Sequence, residues 1–157
     1  MNQKTITIHL LEANALSELE KRDESLLSLA LQAASGAYAP FSHFQVGAAV
    51  RLSDGTVVTG NNQENAAYPS GLCAERTALF YAQAQYPHLA VEAVAIAARS
   101  NGVQTREPVY PCGACRQVML ESQKRAGKPI RVVMGGLQKI QIVTCIGDLL
   151  PLAFENY

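Results

Sequence analysis

Apolar and polar positions along the chain follow two periods, and the change from one to the other marks out the elements. Over residues 5–11 the period is two, with Ile6, Ile8 and Leu10 on one side, the pattern of a short strand or an ordered arm. Over residues 25–35, Leu26, Leu27, Ala30, Leu31 and Ala34 follow helical spacing along one face. Gly36 fits the stop of that helix, and Pro40 bars any continuation. Residues 45–52 and 56–61 are rich in Val, Ala and Thr and flank Ser53-Asp54-Gly55, which predicts a β-hairpin. A polar loop over residues 62–71 leads into good helix formers from Ala74 to Gln85, closed by Pro87. Residues 91–98 predict a mostly apolar strand, and a long loop spans 99–110. Pro111 introduces a helical segment reaching to about Lys124. Residues 130–134 and 139–145 read as two strands around Gly135-Gly136, and residues 148–153 as a last helical turn. Strands alternating with helices predict an α/β fold in three layers, a sheet covered by helices on both faces, with one antiparallel hairpin.

Composition narrows the class of function. A chain of 157 residues, 48% hydrophobic and 17% charged, is one domain with enough interior to need no disulfide staples. Its 13 Lys+Arg balance 13 Asp+Glu, so no basic surface for a nucleic acid is expected, and no run of like charge suggests a membrane patch. No apolar run approaches the roughly 18 residues of a spanning helix, and the first residues lack the apolar stretch of a signal peptide. The expectation is a soluble cytoplasmic protein.

The chemistry lies in the cysteines, Cys73, Cys112, Cys115 and Cys145. Cys112-Gly113-Ala114-Cys115 is a C-x-x-C, whose spacing alone suits zinc chelation, thiol redox chemistry or two core thiols. Positions three apart on a helix differ by about 60° in azimuth, so both sulfurs can face one point in a first turn, where free N–H groups favour thiolate. Cys73-Ala74-Glu75 adds a third sulfur and a carboxylate. Residues two apart on a helix are turned about 200° from one another, so Cys73 and Glu75 share a site only if Cys73 stands at the very start of its helix. Three thiolates leave a tetrahedral Zn²⁺ one open position, the pattern of a catalytic site. A ligand, any residue, a Glu, and then Pro-Cys-x-x-Cys is the zinc-deaminase signature, and Pro111 completes it here.

On these residues the sequence resembles the small homotetrameric zinc-dependent cytidine deaminases. The matching pieces are Tyr38-Ala39-Pro40-Phe41-Ser42-His43-Phe44 with Val46-Gly47-Ala48-Ala49, and Asn62-Gln63-Glu64-Asn65-Ala66-Ala67-Tyr68-Pro69. Leu72-Cys73-Ala74-Glu75-Arg76-Thr77-Ala78, Pro111-Cys112-Gly113-Ala114-Cys115-Arg116-Gln117-Val118, and Leu149-Leu150-Pro151 with Phe154 complete the likeness. It runs from about Ala33 to Phe154 and implies a three-layer sandwich on a mixed sheet of roughly five strands. It implies a catalytic domain over residues 25–157, with residues 1–24 as an amino-terminal extension, strand or arm.

The resemblance also implies roles. Cys73, Cys112 and Cys115 hold one zinc ion per subunit. Glu75 moves protons during hydrolytic deamination of cytidine and deoxycytidine to uridine and deoxyuridine, a step of pyrimidine salvage. Asn62 and Glu64 hold the ribose 3′-hydroxyl, Phe44 lies against the pyrimidine face, Ala74 borders the substrate, and Phe154 reaches into a neighbouring subunit's site. Zn²⁺ with three thiolates carries 2 − 3 = −1, so a nearby cation has to offset the excess, and Arg76 is expected to donate to a ligand sulfur. Of the remaining polar candidates, His43 reads as a packed or surface residue and Cys145 as a small apolar side chain in a strand. A same-fold deaminase of a modified nucleoside, of the blasticidin type, is the nearest alternative reading. A non-catalytic zinc-stabilised module is the more distant one and requires a fourth protein ligand.

Overall fold

The structure is a computed structural model describing residues 1–155. In chain order the elements are β1 (Leu11–Ala13), α1 (Lys21–Ala34), β2 (Phe44–Leu52), β3 (Val57–Asn61), α2 (Ala74–Gln85), β4 (Val91–Ser100), β5 (Val103–Gln104), α3 (Gly113–Ala126), β6 (Arg131–Gly135) and β7 (Ile140–Val143). The sheet runs β1-β7-β6-β4-β2-β3, with β5 pairing outside that path on β4. Only β4 and β6 run parallel; the other pairs are antiparallel, so the sheet is mixed.

The sheet has seven strands rather than about five, and the two extra ones have separate causes. β1 is not the alternating run 5–11 but Leu11–Ala13, the three residues that pair antiparallel with Ile140–Ile142 of β7. Upstream the arm forms no ladder, and His9 N–H donates to Asp148 Oδ1 at 3.1 Å. β5 arises because Asn101 (φ 50°) and Gly102 (φ 79°) turn the chain back on β4. Two successive positive φ angles are the mark of a type I′ hairpin turn, and Asn-Gly is its preferred dipeptide. The expected long loop therefore begins as a hairpin.

Helix boundaries move for similar reasons. α1 starts at Lys21, four residues before the apolar stripe, because its first turn is polar and Asp23 in it is fully buried. There Asp23 accepts from Arg131 Nε at 2.6 Å and lies 3.4 Å from Arg51 Nη2, tying the helix start to β6 and β2. α3 ends where Gly127 takes a left-handed conformation (φ 63°) and donates to the Lys124 carbonyl. The last turn expected at 148–153 is a 3-10 turn over Ile146–Asp148, and Cys145 precedes it rather than lying in a strand.

Alternation along β4 sorts the layers. Ala93, Ala95 and Ala97 face α1 with Leu26, Leu27 and Ala30, whereas Val94 and Ile96 face α2 and α3 with Leu79 and Met119. Burying each large side chain of these clusters is worth roughly 1.5–3 kcal/mol. Small residues let the helices approach closely. A Cβ on Gly47 would stand 2.0 Å from the Ala30 carbonyl oxygen of α1, and one on Gly60 would stand 2.6 Å from Ala78 N of α2. Gly60 thus lets β3 press against the first turns of α2, where Cys73 and Glu75 lie. Gly60→Ala is expected to cost about 1–3 kcal/mol, read as a lower urea midpoint at unchanged slope.

Candidate metal centre

Cys73 ends the polar loop after β3 and is the N-cap of α2, with extended backbone (φ −71°, ψ 151°). It therefore stands outside the helix, while Ala74 and Glu75 are its first two residues, which removes the angular conflict in the Cys-x-Glu spacing. Cys112 is the N-cap of α3 (φ −66°, ψ 166°), and Cys115 lies in its first turn. Two helix N-termini thus point at one place. The Cys73 and Cys112 sulfurs are 3.9 Å apart and those of Cys112 and Cys115 3.6 Å apart. All three Sγ atoms lie within 4.8 Å of one another, and among the described residues they alone form such a group.

That spacing fits zinc. Thiolates about 2.3 Å from a tetrahedral Zn²⁺ stand about 3.8 Å from each other. The Cys73–Cys112 and Cys112–Cys115 separations already sit near that value, and soft thiolates are donors that suit zinc. Cys115 is buried, Cys73 half-buried and Cys112 exposed, so the group opens to one side.

The protons of the trio are unevenly held. The Cys115 thiol donating to Cys73, with the Arg76 guanidinium and Cys112 adding, brings Cys73 down to about 5. The same contact with Cys73, then burial, pushes the Cys115 thiol up. Glu75 is 4% exposed, and burial pushes its carboxyl above the usual range, with the Cys73 charge acting in the same direction. Arg76 Nη2 donates to Cys73 Sγ at 3.5 Å, as the charge balance anticipates. Its Nε is buried without a hydrogen-bond partner among the described residues.

A second cation braces the cluster without touching sulfur. Arg116, in the first turn of α3, donates from Nε to the Pro111 carbonyl at 2.8 Å and from Nη1 to the Leu149 carbonyl at 2.7 Å. Nothing in its spacing marks it in the sequence, because both acceptors are backbone atoms.

The polar loop is laced to the metal side by short backbone ladders. Gln63 and Leu72 exchange both backbone hydrogen bonds at 2.9 Å, and Tyr38 pairs with the other edge of the same segment through Asn62 and Glu64. This brings residues 38–44, 62–65 and the residue before Cys73 together. Asn62 uses both ends of its amide on β2, accepting from Val46 N–H at 2.7 Å and donating to the Phe44 carbonyl at 3.0 Å. Glu64 accepts from Phe41 N–H at 2.9 Å and from the Ser42 hydroxyl, and these donors hold its carboxyl below the usual carboxylate range. Phe44 is half-buried and Ala74 fully buried. Phe154 is 69% exposed, and its carbonyl accepts from Gln117 Nε2 at 2.9 Å. His43 turns the chain into β2 with φ 54°, a conformation unusual outside glycine. Cys145 is half-buried, with its sulfur against the Gln123 amide and away from the metal group.

Zinc takes thiolates, so uptake by metal-free protein displaces the Cys115 proton. Calorimetric zinc titrations at pH 7 in buffers of different ionisation heat should show net proton release, and the apparent affinity should fall as pH is lowered.

Residues 20–128 match the family model described as the cytidine and deoxycytidylate deaminase zinc-binding region. The chain is 48% identical over 132 residues to a cytidine deaminase of Halalkalibacterium halodurans, spanning 83% of this chain and 92% of that protein. It is 41% identical over 128 residues to a cytidine deaminase of Mycobacterium tuberculosis, spanning 80% and 84%. The crystal structure of cytidine deaminase from Burkholderia pseudomallei superposes with a TM-score of 0.71 at 42% identity, covering 83% of this chain and 97% of that one. With its three sulfurs gathered at two helix starts and these likenesses spanning most of its length, the chain belongs to the zinc-dependent cytidine deaminase family.

Proposed function

We propose that the protein hydrolyses the C4–N bond of cytidine and deoxycytidine, adding water at C4 and releasing ammonia to leave uridine or deoxyuridine. The observation that carries this reading is the convergence of the Cys73, Cys112 and Cys115 sulfurs beside a buried Glu75, its carboxyl pushed above the usual range by burial. Zinc bound there supplies Lewis-acid activation of water, lowering its pKa from about 15.7 toward 7.

Glu75 takes the proton of the attacking water and delivers it to ring N3, which makes C4 electrophilic. Once the water oxygen has added at C4, Glu75 takes the remaining proton from the new C4 hydroxyl and passes it to the amine. The C4–N bond then breaks, ammonia leaves and the C4 carbonyl forms. One carboxylate serves as base and acid in turn, and its raised affinity for protons suits the acid half of the cycle. Arg76 balances the negative charge of three thiolates through its contact with Cys73. Asn62 and Glu64 act on the ribose 3′-hydroxyl. Each carboxylate oxygen accepts more than one hydrogen bond, so the Phe41 and Ser42 donors leave Glu64 capacity for a sugar hydroxyl. Asn62, bonded to the Phe44 and Val46 backbone, fixes the strand start that presents the Phe44 ring to the base.

The working unit in this reading is a cytoplasmic homotetramer in which Phe154 completes a neighbour's pocket. Large exposed side chains at Phe41, Tyr68, Tyr81 and Phe154 support association of copies. No helix among the described residues is long and apolar enough to cross a membrane. Every assigned site residue falls within residues 25–157, the proposed catalytic domain, whose last two residues lie outside the described ones.

Zinc-loaded protein is expected to release ammonia from cytidine, and a chelator to abolish the release. Glu75→Ala should keep its zinc and lose about 10²–10⁴-fold in turnover. Loaded protein inert on cytidine but active on a modified nucleoside would favour the blasticidin-type reading. Arg76→Ala should weaken zinc retention or lower activity by about 10–100-fold; wild-type zinc content with unchanged turnover would refute its role.

A further inference from the structure

β7 carries Ile140, Ile142 and Val143 in the core, and between them stands a buried amide, Gln141, at 7% exposure. Ile140 and Ile142 belong to the α1 side of the sheet and Val143 to the α2 and α3 side, so alternation turns Gln141 toward α3. A buried amide left unpaired costs about 1–3 kcal/mol, and both ends of this one are paired with groups far apart in sequence. Its Oε1 accepts from the Tyr110 hydroxyl at 2.5 Å, and its Nε2 donates to Glu12 Oε2 at 3.2 Å. Glu12 lies directly across the β1–β7 ladder from Gln141 and is itself paired with Lys139 Nζ at 3.2 Å.

Tyr110 is the residue before Pro111-Cys112. The segment leading to it is laid along the β6–β7 turn: Leu137 N–H donates to the Thr105 carbonyl at 2.9 Å and Gln138 N–H to the Arg106 carbonyl at 3.0 Å. On its far side, Arg116 grips the Pro111 carbonyl. Between these two anchors, Tyr110 stands two residues before Cys112, the exposed member of the sulfur group, with its hydroxyl bonded to Gln141.

We propose that Gln141, through Tyr110 and backed by Glu12 of β1, is a positioning residue for the Cys112 ligand. A strand at the edge of the sheet and outside the span matched by the family model, β1, thereby stabilises metal retention. This rests on the reading that the three thiolates hold zinc.

The experiment is zinc release from the loaded full-length protein to a chromogenic chelator, alongside thermal unfolding of the metal-free form. Tyr110→Phe keeps the ring and loses the hydroxyl; Gln141→Leu keeps the volume and loses the amide. Each is expected to release zinc about 3–10-fold faster, short of the roughly 10–100-fold typical for a direct partner of a ligand. The double variant should be no faster than the more affected single variant, because both remove one bond. Glu12→Gln, which retains an acceptor oxygen, should release zinc at the wild-type rate, whereas Glu12→Leu should not. Gln141→Leu should speed release even where metal-free melting is unchanged or higher, an outcome a purely structural role does not give. Release by both single variants within twofold of wild type, or additive effects in the double variant, overturns the proposal and leaves the enzymatic reading standing. A wild-type protein that takes up no zinc at all sinks both.

Discussion

Three sulfurs are held at about the spacing a tetrahedral ion imposes, and they are held there by the starts of two different helices. Thiols placed together carry a mutual penalty once they ionise, and here it is met by the free N–H groups of the α2 and α3 N-termini and by the Arg76 guanidinium on Cys73. The rest of the site depends on that arrangement. Glu75 is buried beside the sulfurs because Cys73 is a cap rather than a helical residue, so the second position of α2 turns inward.

The sheet exists, for this purpose, as the platform that sets the two helices against each other. Small residues on β2 and β3 let backbone approach backbone, with α1 resting on Gly47 and α2 on Gly60, while the larger Val94, Ile96, Val132 and Met134 fill the space under α2 and α3. The loops that border the metal are ordered by backbone pairing more than by side-chain packing. Gln63 pairs with both Tyr38 and Leu72, and residues 105–106 are bound to the β6–β7 turn. A loop stitched in this way keeps its backbone polar groups satisfied beside the sulfur group.

In the proposed reading, Glu64 and Asn62 each serve structure and binding together. Both side chains are spent on the backbone of residues 41–46 in the free chain, which orients the Phe44 segment. Remaining lone pairs on Glu64 are what a sugar hydroxyl would meet, on a carboxylate already held in its charged form by its neighbours.

Much of the molecule was legible before any coordinates. The Asp54-Gly55 turn, the exact span of α2, the strands β2, β4 and β6, and the Cys73-x-Glu75 and Cys112-x-x-Cys115 spacings all follow from local sequence, because period and turn chemistry act over a few residues. The meeting of the two cysteine clusters is legible only through the family resemblance. Asn101-Gly102 carried a hairpin signal of the same local kind that the length of its loop obscured. Other features have no local cause. The extent of β1 follows its pairing with a strand more than a hundred residues away, the burial of Asp23 is set by arginines on β2 and β6, and the anchoring of Tyr110 by an amide 31 residues further on. Local sequence determined which residues can chelate and which runs can form helix or strand; tertiary structure alone decided which distant groups meet, because a hydrogen bond or strand edge is satisfied by whatever the packed fold brings within reach.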